Sequence, residues 1–474
     1  MKIRHSFFIA LIGIFFYSCE TTVKEPAGLY STNQVLVTVI DTIDDINVDV
    51  VKHVAEFYAM NTQTRSSVPK KIKEIVPVKD EQGITSMYIV NYENNQGFLV
   101  LSGTNKCHPI LAFNESGNFD INQAKVDGTS VWLQEQQDII NDITVLPDSI
   151  RWKNKNAWNK FFKKEIPAQF TVKAQTKSVD PELENEVGAY IEASLNQWSD
   201  EGYTIYSYGS LSSFFSGDDL EYIEQMIYNS ADDRFFGGYD GTVFIKAKTI
   251  PNNSTVETLL QSQWGQLGGY KVNGCPAGCV AVAIGQIMRY HKYPTLYNWN
   301  AMAYTYPTST TVSFFEEIGR KVNMIYTDST SSATTPAARN AFVQYGYNQA
   351  NIINHTQGRT IGELSKSRPV YMRGNDSKNP NKSEGHAWVC DGYKIIDSFE
   401  EISIMVLNRM SSTRIPSYTC VYNGNTNNTI NRYFHMNWGW SGSSDGYFYE
   451  EGVDPSIYSF SINRQDIVDI FPSR

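Results

Sequence analysis

The chain has 474 residues, more than one hydrophobic core usually organises, so two or more domains are expected. With 41% hydrophobic and 13% aromatic residues it can bury substantial cores, which excludes a disordered chain. Its 40 basic residues are outnumbered by 50 acidic ones and form no basic cluster, which argues against a nucleic-acid or anionic-membrane surface.

The N-terminus, MKIRHSFFIALIGIFFYSCE, sets Lys2, Arg4 and His5 ahead of an apolar run from Phe7 to Phe16. A basic start followed by about ten apolar residues reads as a secretory signal, too short to span a bilayer. Ser18 directly before Cys19 is similar to the lipobox of bacterial lipoproteins, where the cysteine is acylated. Phe16 stands where Leu is usual, and plain secretion is the alternative. We read residues 1–18 as signal peptide and 19–31 as a polar tether, with the membrane touched only through a lipid on Cys19.

A helix is expected over VDVVKHVAEFYAMN, where Val50, Val51, Val54, Phe57 and Tyr58 recur at helical spacing. SMYIVNYENNQGFLVLSG and HPILAFNESGNF alternate and carry a turn at Asn94 to Gly97, so they read as a β-meander. Beyond Val126 the pattern offers helical pieces, GTSVWLQEQQDIINDI and VGAYIEASLNQWSDEG, with a linker candidate in KAQTKSVDPELENE. Every chemically loaded residue follows Ile250.

GCPAGCVAVAIGQIMRYHKYP, from Gly274 to Pro294, holds two cysteines four residues apart. The run behind Cys279 is apolar nearly all round and reads as a buried helix that stops near Lys292-Tyr293-Pro294. Cys279 at its N-terminus would face unpaired backbone N–H groups and the positive end of the helix dipole, which favour a thiolate. His386 opens the strand His-Ala-Trp-Val-Cys and is the candidate acid/base. Asn437, in HMNWGW, is expected to lie beneath the imidazole and orient it. Gln266, in WGQ, offers a side-chain amide to an oxyanion hole shared with the Cys279 N–H. The alternative for Cys275 and Cys279 is a disulfide or zinc clip, but the spacing is not C-x2-C and His291 falls at the far end of the helix. His435 reads as an ordinary strand residue, and Cys390 and Cys420 carry no sign of activation.

The order WGQ, GCVAVAIGQIMRYHKYP, GHAWVCDGY and NWGWSGSSDGYF resembles the streptopain family of papain-fold bacterial cysteine proteases, and SMYIVNYENNQGFLVLSG with HPILAFNESGNF resembles its inhibitory propeptide. The resemblance implies an α+β protein, with a helical part plus antiparallel sheet in a papain-like peptidase domain at 250–474. An α+β propeptide domain would occupy 32–172, and 173–249 would be linker or additional pro-region. It implies Cys279 as nucleophile, His386 as acid/base, Gln266 as oxyanion donor, and Asn437 and Trp438 as residues that orient and shield the histidine. No metal or organic cofactor is implied. Partners would be protein or peptide substrates, with an apolar side chain preferred two residues before the scissile bond, and the chain's own propeptide. The segment between Tyr393 and His435 is longer than the family's usual hairpin and is where specificity is expected to depart. Two other readings stand: an acyl transferase or amidase using the same apparatus, and a surface lipoprotein that binds glycans or peptides without catalysis.

Overall fold

The computed structural model describes residues 45–61, 70–124, 129–141, 154, 157–158, 161, 181–215, 217–232, 238–375, 385–408, 415–450 and 464–473. The export segment, Cys19 and the tether fall outside these residues. No helix among the described residues is long and apolar enough to cross a membrane. Two compact units are present. The first takes its described residues from Met1–Phe162, Val256–Lys394 and Tyr433–Arg474, the second from Lys163–Thr255 and Ile395–Arg432.

The first unit begins with α1 (Val48–Asn61), entered where the Asn47 side chain accepts the Val50 N–H at 3.0 Å. Val50, Val51, Val54 and Ala55, one helical turn apart, are its buried face. β1 (Ile72–Lys79), β2 (Thr85–Tyr92), β3 (Phe98–Ser102) and β4 (Ile110–Asn114) then pair in series, all antiparallel. The expected meander is therefore present. Its tight turn puts Asn94 and Asn95 at φ 56 and Gly97 at φ 105, and a Cβ on Gly97 would run into the Asn114 carbonyl. α2 (Thr129–Asn141) follows with Trp132 and Leu133 buried.

The chain then enters the second unit through α3 (Pro181–Asp200), β5 (Thr204–Ser207), α4 (Gly217–Ser230) and β6 (Val243–Pro251). It returns by β7 (Ser254–Val256) to α5 (Cys279–His291), α6 (Ser309–Lys321), β8 (Ile325–Tyr326), β9 (Ser331–Ser332), α7 (Thr335–Gln344), β10 (Asn351–Asn354) and α8 (Gln357–Leu364). β11 (Val370–Asn375), the long β12 (Gly385–Leu407) and β13 (Tyr418–Asn437), β14 (Gly446–Glu450) and β15 (Gln465–Val468) complete it.

Within the second unit β6 lies antiparallel between β5 and the later part of β12, Phe244 opposite Met405 and Ile250 opposite Phe399. Strand alternation sends Val243, Ile245 and Ala247 to one face, where Ile223 and Ile227 of α4 meet them. Phe244 goes to the other, against Val187, Ile191 and Trp198 of α3. Much of the stretch read as linker is thus built into helices and strands. The partner of β6 comes from the segment beyond Tyr393; even the nearest pair, Pro251 and Ser398, is 147 positions apart (398 − 251), and nothing local signals the pairing.

In the first unit the strand order is β1-β2-β3-β4-β14-β13-β12-β11-β15-β10. β4 pairs with β14, Phe113 opposite Tyr447, so the N-terminal meander and the C-terminal strands share one sheet. α5 lies in the main core, its Val282, Ala283, Ile284 and Ile287 packed among Phe315, Ile318, Phe342 and Val389. Thr308, Thr334 and Thr356 cap α6, α7 and α8 by accepting the N–H three residues on, which places each start. The class is α+β, as expected.

Candidate active site

Cys279 is the first residue of α5, and Gly278 before it has φ 89. A Cβ at Gly278 would sit 2.8 Å from Met324 Cε and 3.2 Å from Ser331 Cβ, so both conformation and space require glycine. The helix ends where Lys292 turns left-handed at φ 48, close to the expected breaker. Cys107, Cys275, Cys279, Cys390 and Cys420 form no disulfide among the described residues. Cys275 sits in a tight loop closed by reciprocal backbone bonds with Val272.

Cys279 is 8% exposed. Burial pushes its thiol up from its ordinary value, opposed by hydrogen bonds to the backbone of Ala387, Val280 and Cys279 itself and by the charge of Arg373. Sequence reasoning expected the helix end to win; in this arrangement desolvation does. The Ala387 contact places the thiol against the β12 backbone, one residue past His386. His386 is half-buried, and Gly374 of β11 faces it across the ladder.

Gln266 runs alongside the approach to the nucleophile, its carbonyl accepting the Ala277 N–H at 2.9 Å. Its side chain is buried and its Nε2 has no partner among the described residues. A buried amide donor left unpaired is costly, and a substrate oxygen would satisfy it.

Asn437 is buried, but its amide is not bonded to His386. Its Oδ1 accepts from Gln286 Nε2 at 2.8 Å and from the Gly439 N–H at 3.3 Å, and its Nδ2 donates to the Ser262 carbonyl at 2.9 Å. Trp438 is buried between Trp388, at 5.0 Å, and Phe448, at 5.1 Å, while its backbone N–H donates to Asp445 at 2.8 Å. Trp388 lies two residues from His386 on β12, so Trp438 flanks the histidine strand. Phe448 in turn receives Trp132 of α2 at 4.8 Å.

Four residues near the site escaped the sequence reading. Gln286, fully buried in α5, donates to Asn437 and through Oε1 accepts the Trp264 N–H at 3.1 Å. It thereby ties α5 to both the WGQ and the NWGW loops. The signal was a lone amide in an apolar helix, VAVAIGQIM. Arg373 and Tyr371 project from β11 towards Cys279; burial and the nearby Cys279 push the unpartnered Tyr371 hydroxyl upward. His435 proves more than a strand residue. Burial alone would lower its imidazole, but Asp391 at 2.6 Å outweighs that and holds it above its ordinary value. The second Asp391 oxygen takes the Leu260 N–H at 2.9 Å, so the pair pins the segment ahead of WGQ.

Comparison with known proteins matches the peptidase C10 family over residues 252–312 and 295–448, and the Spi protease inhibitor family over 46–140. Streptopain of Streptococcus pyogenes is 27% identical over 225 residues, 38% of this chain and 46% of that protein. The thiol protease/hemagglutinin PrtT of Porphyromonas gingivalis is 26% identical over 248 residues, 41% of this chain and 24% of that protein. The chain thus spans less than half the length of these relatives. Among solved structures, a fragment of Prevotella intermedia prointerpain A aligns with 17% identity and a TM-score of 0.44, covering 85% of this chain and 100% of that one. Active interpain A aligns with 22% identity and a TM-score of 0.33 over 46% of this chain and 96% of that one. Residues 252–448 thus resemble the streptopain-like peptidases of the C10 family, and residues 46–140, ahead of them, resemble the Spi protease inhibitor.

Proposed function

We propose that the chain is a cysteine endopeptidase made as a zymogen, exported and either released or held by a lipid on Cys19. The observation that carries this reading is the juxtaposition of a helix-starting thiol, bonded beside His386, with the unpartnered Gln266 amide. In the reaction the Cys279 thiolate attacks the peptide carbonyl carbon, and the carbonyl electron pair moves onto oxygen. Gln266 Nε2 and the Cys279 N–H receive that oxyanion. Collapse expels the amine, which takes the proton His386 held, and leaves a thioester on Cys279. Water, deprotonated by His386, attacks the thioester; the acid leaves and the thiol is restored. Arg373 favours the thiolate by its charge, and Trp438 with Trp388 keeps water from the histidine strand. Asn437 serves by fixing its own loop to α5 through Gln286. Peptides with an apolar residue two positions before the scissile bond are the substrate class this family reading favours.

The N-terminal domain, 32–172 on this reading, would hold the precursor latent, since its meander joins the peptidase sheet and Trp132 docks on Phe448. Maturation would cut between Lys173 and Ile250. Casein hydrolysis by the purified chain after limited proteolysis, with and without iodoacetamide, tests the whole. Alkylator-sensitive cleavage is expected only after maturation. Amide transfer to an added amine without net casein hydrolysis would favour the transferase reading, and no turnover in either assay would favour a binding lipoprotein.

A further inference from the structure

β6 is an interior strand. On one side it bonds β5, from its own stretch of chain. On the other it meets β12 over its whole length, from Val243 opposite Val406 to Pro251 opposite Ser398. The cores on the two faces of this sheet draw on both stretches. Strand alternation turns Ile402, Ile404 and Val406 of β12 to one face, where they share a cluster with Leu211, Ile223 and Ile227. Leu407 goes to the other, with Val187, Ile191 and Trp198. Tyr418 of β13 stacks on Tyr190 at 5.6 Å and meets Trp198 at 5.0 Å, and Tyr422 meets Phe215 at 5.0 Å. The Asp232 N–H donates to the Leu407 carbonyl at 2.8 Å, and the Tyr203 hydroxyl donates to Glu401 at 3.2 Å.

We propose that residues 181–251 are a permanent part of the mature peptidase, which is one chain when cut ahead of them and two chains when cut within them. Their partners cannot be discarded with a pro-segment. β12 runs on from His386 without a break, and β13 runs into Asn437. Losing 181–251 would strip β12 of its ladder from Ser398 to Val406. It would also bare Ile402, Ile404, Val406 and Leu407, all at 0% exposure. A long apolar edge of that kind is a template for aggregation. The inference deepens the zymogen reading, since latency then rests on the N-terminal domain alone. It rests on that reading only for the word mature, and its test follows association, so the two can fail separately.

Two specific protease sites test it in a Cys279→Ala chain, one inserted directly ahead of Pro181 and one between the exposed Asn252 and Asn253. After both cuts, native size-exclusion chromatography with mass spectrometry should find 181–252 eluting with 253–474 and parting from it only in denaturant. Ile404→Ala, which opens a cavity in the shared core, should lower the urea concentration at which they part. Tyr222→Ala, at an α4 position that is 66% exposed, should not. Unaltered chain matured by limited proteolysis and purified under native conditions should still contain 181–251 by intact mass and N-terminal sequencing. A 181–252 piece that elutes alone while 253–474 stays folded would overturn the proposal. So would a folded mature protein that lacks these residues, or a parting midpoint unmoved by Ile404→Ala.

Discussion

Replacing Gln286 with Met tests whether the nucleophile helix positions the rest of the site. The substitution conserves volume in a fully buried position, so cavity and overpacking costs stay small. Two hydrogen bonds are lost. The Trp264 N–H, at a residue with 0% exposure, is left unpaired, whereas Asn437 Oδ1 still receives the Gly439 N–H. One orphaned buried donor costs about 1–3 kcal/mol. The functional loss should be larger than that implies, because the WGQ loop carries Gln266 two residues after Trp264. A shift of about 1 Å there would cost about a hundredfold in kcat, with KM little changed. Gln286→Glu divides the two arms once ionised: the carboxylate can still accept from Trp264 but cannot donate to Asn437. Its oxyanion geometry should survive while the Asn437 loop loosens. The assay is steady-state peptide hydrolysis by the matured chain, with the pH dependence of iodoacetamide labelling as a second readout. Gln286→Met should lower kcat and leave the labelling profile in place. A folded Gln286→Met enzyme with kcat within about threefold of wild type would refute the argument, and so would a loss explained by its unfolded fraction alone.

Cys279→Ala should reduce turnover to background and Gln266→Ala should cost about 3 kcal/mol of barrier, roughly a hundredfold in kcat; a larger loss at Gln266 than at Cys279 would reverse their roles. Trp132→Ala should strip the N-terminal domain of its contact with Phe448, destabilise its docking by about 3–5 kcal/mol and speed maturation, read as the cleavage rate under fixed protease. Docking should also weaken as pH rises. Loss of solvation pushes the α2 carboxyl of Glu135 up to about 7, with Glu450 and Asp138 adding to the rise and Arg464 and His355 opposing it. The docked state therefore holds that proton more tightly than the free helix, and the stabilisation, complete below about 4.5, fades as pH passes 7. His355, raised to about 9 by Glu450 and Asp466 against its burial, and Glu450, lowered to about 2 by Arg464 and His355 against its own, keep their charges between pH 5.5 and 8 and add no slope. In a Cys279→Ala background, retention of the nicked N-terminal domain should fall from pH 5.5 to 8, and Glu135→Gln should flatten the trend; an unchanged slope in Glu135→Gln would exclude Glu135 as its origin.

The local elements were legible from sequence because their determinants are local. The apolar spacing of Val50, Val51 and Val54 specifies α1, the Asn94-to-Gly97 turn specifies the β2–β3 hairpin, and the apolar run after Cys279 specifies α5 and its start. The same holds for the order of the motifs that carry the chemistry, since each is a short string with its own reason for its residues. What sits beside what is a different matter. Asn437 was expected under His386, but two strands with suitable residues do not reveal which side-chain bonds their packing will complete, and a buried amide in α5 takes it instead. The ionisation of Cys279 turned on desolvation by the surrounding core, a quantity that no spacing encodes. The strand partner of β6 lies beyond Tyr393 because ladder bonds are made by backbone atoms common to all residues, so register is chosen by burial of both faces rather than by sequence signature.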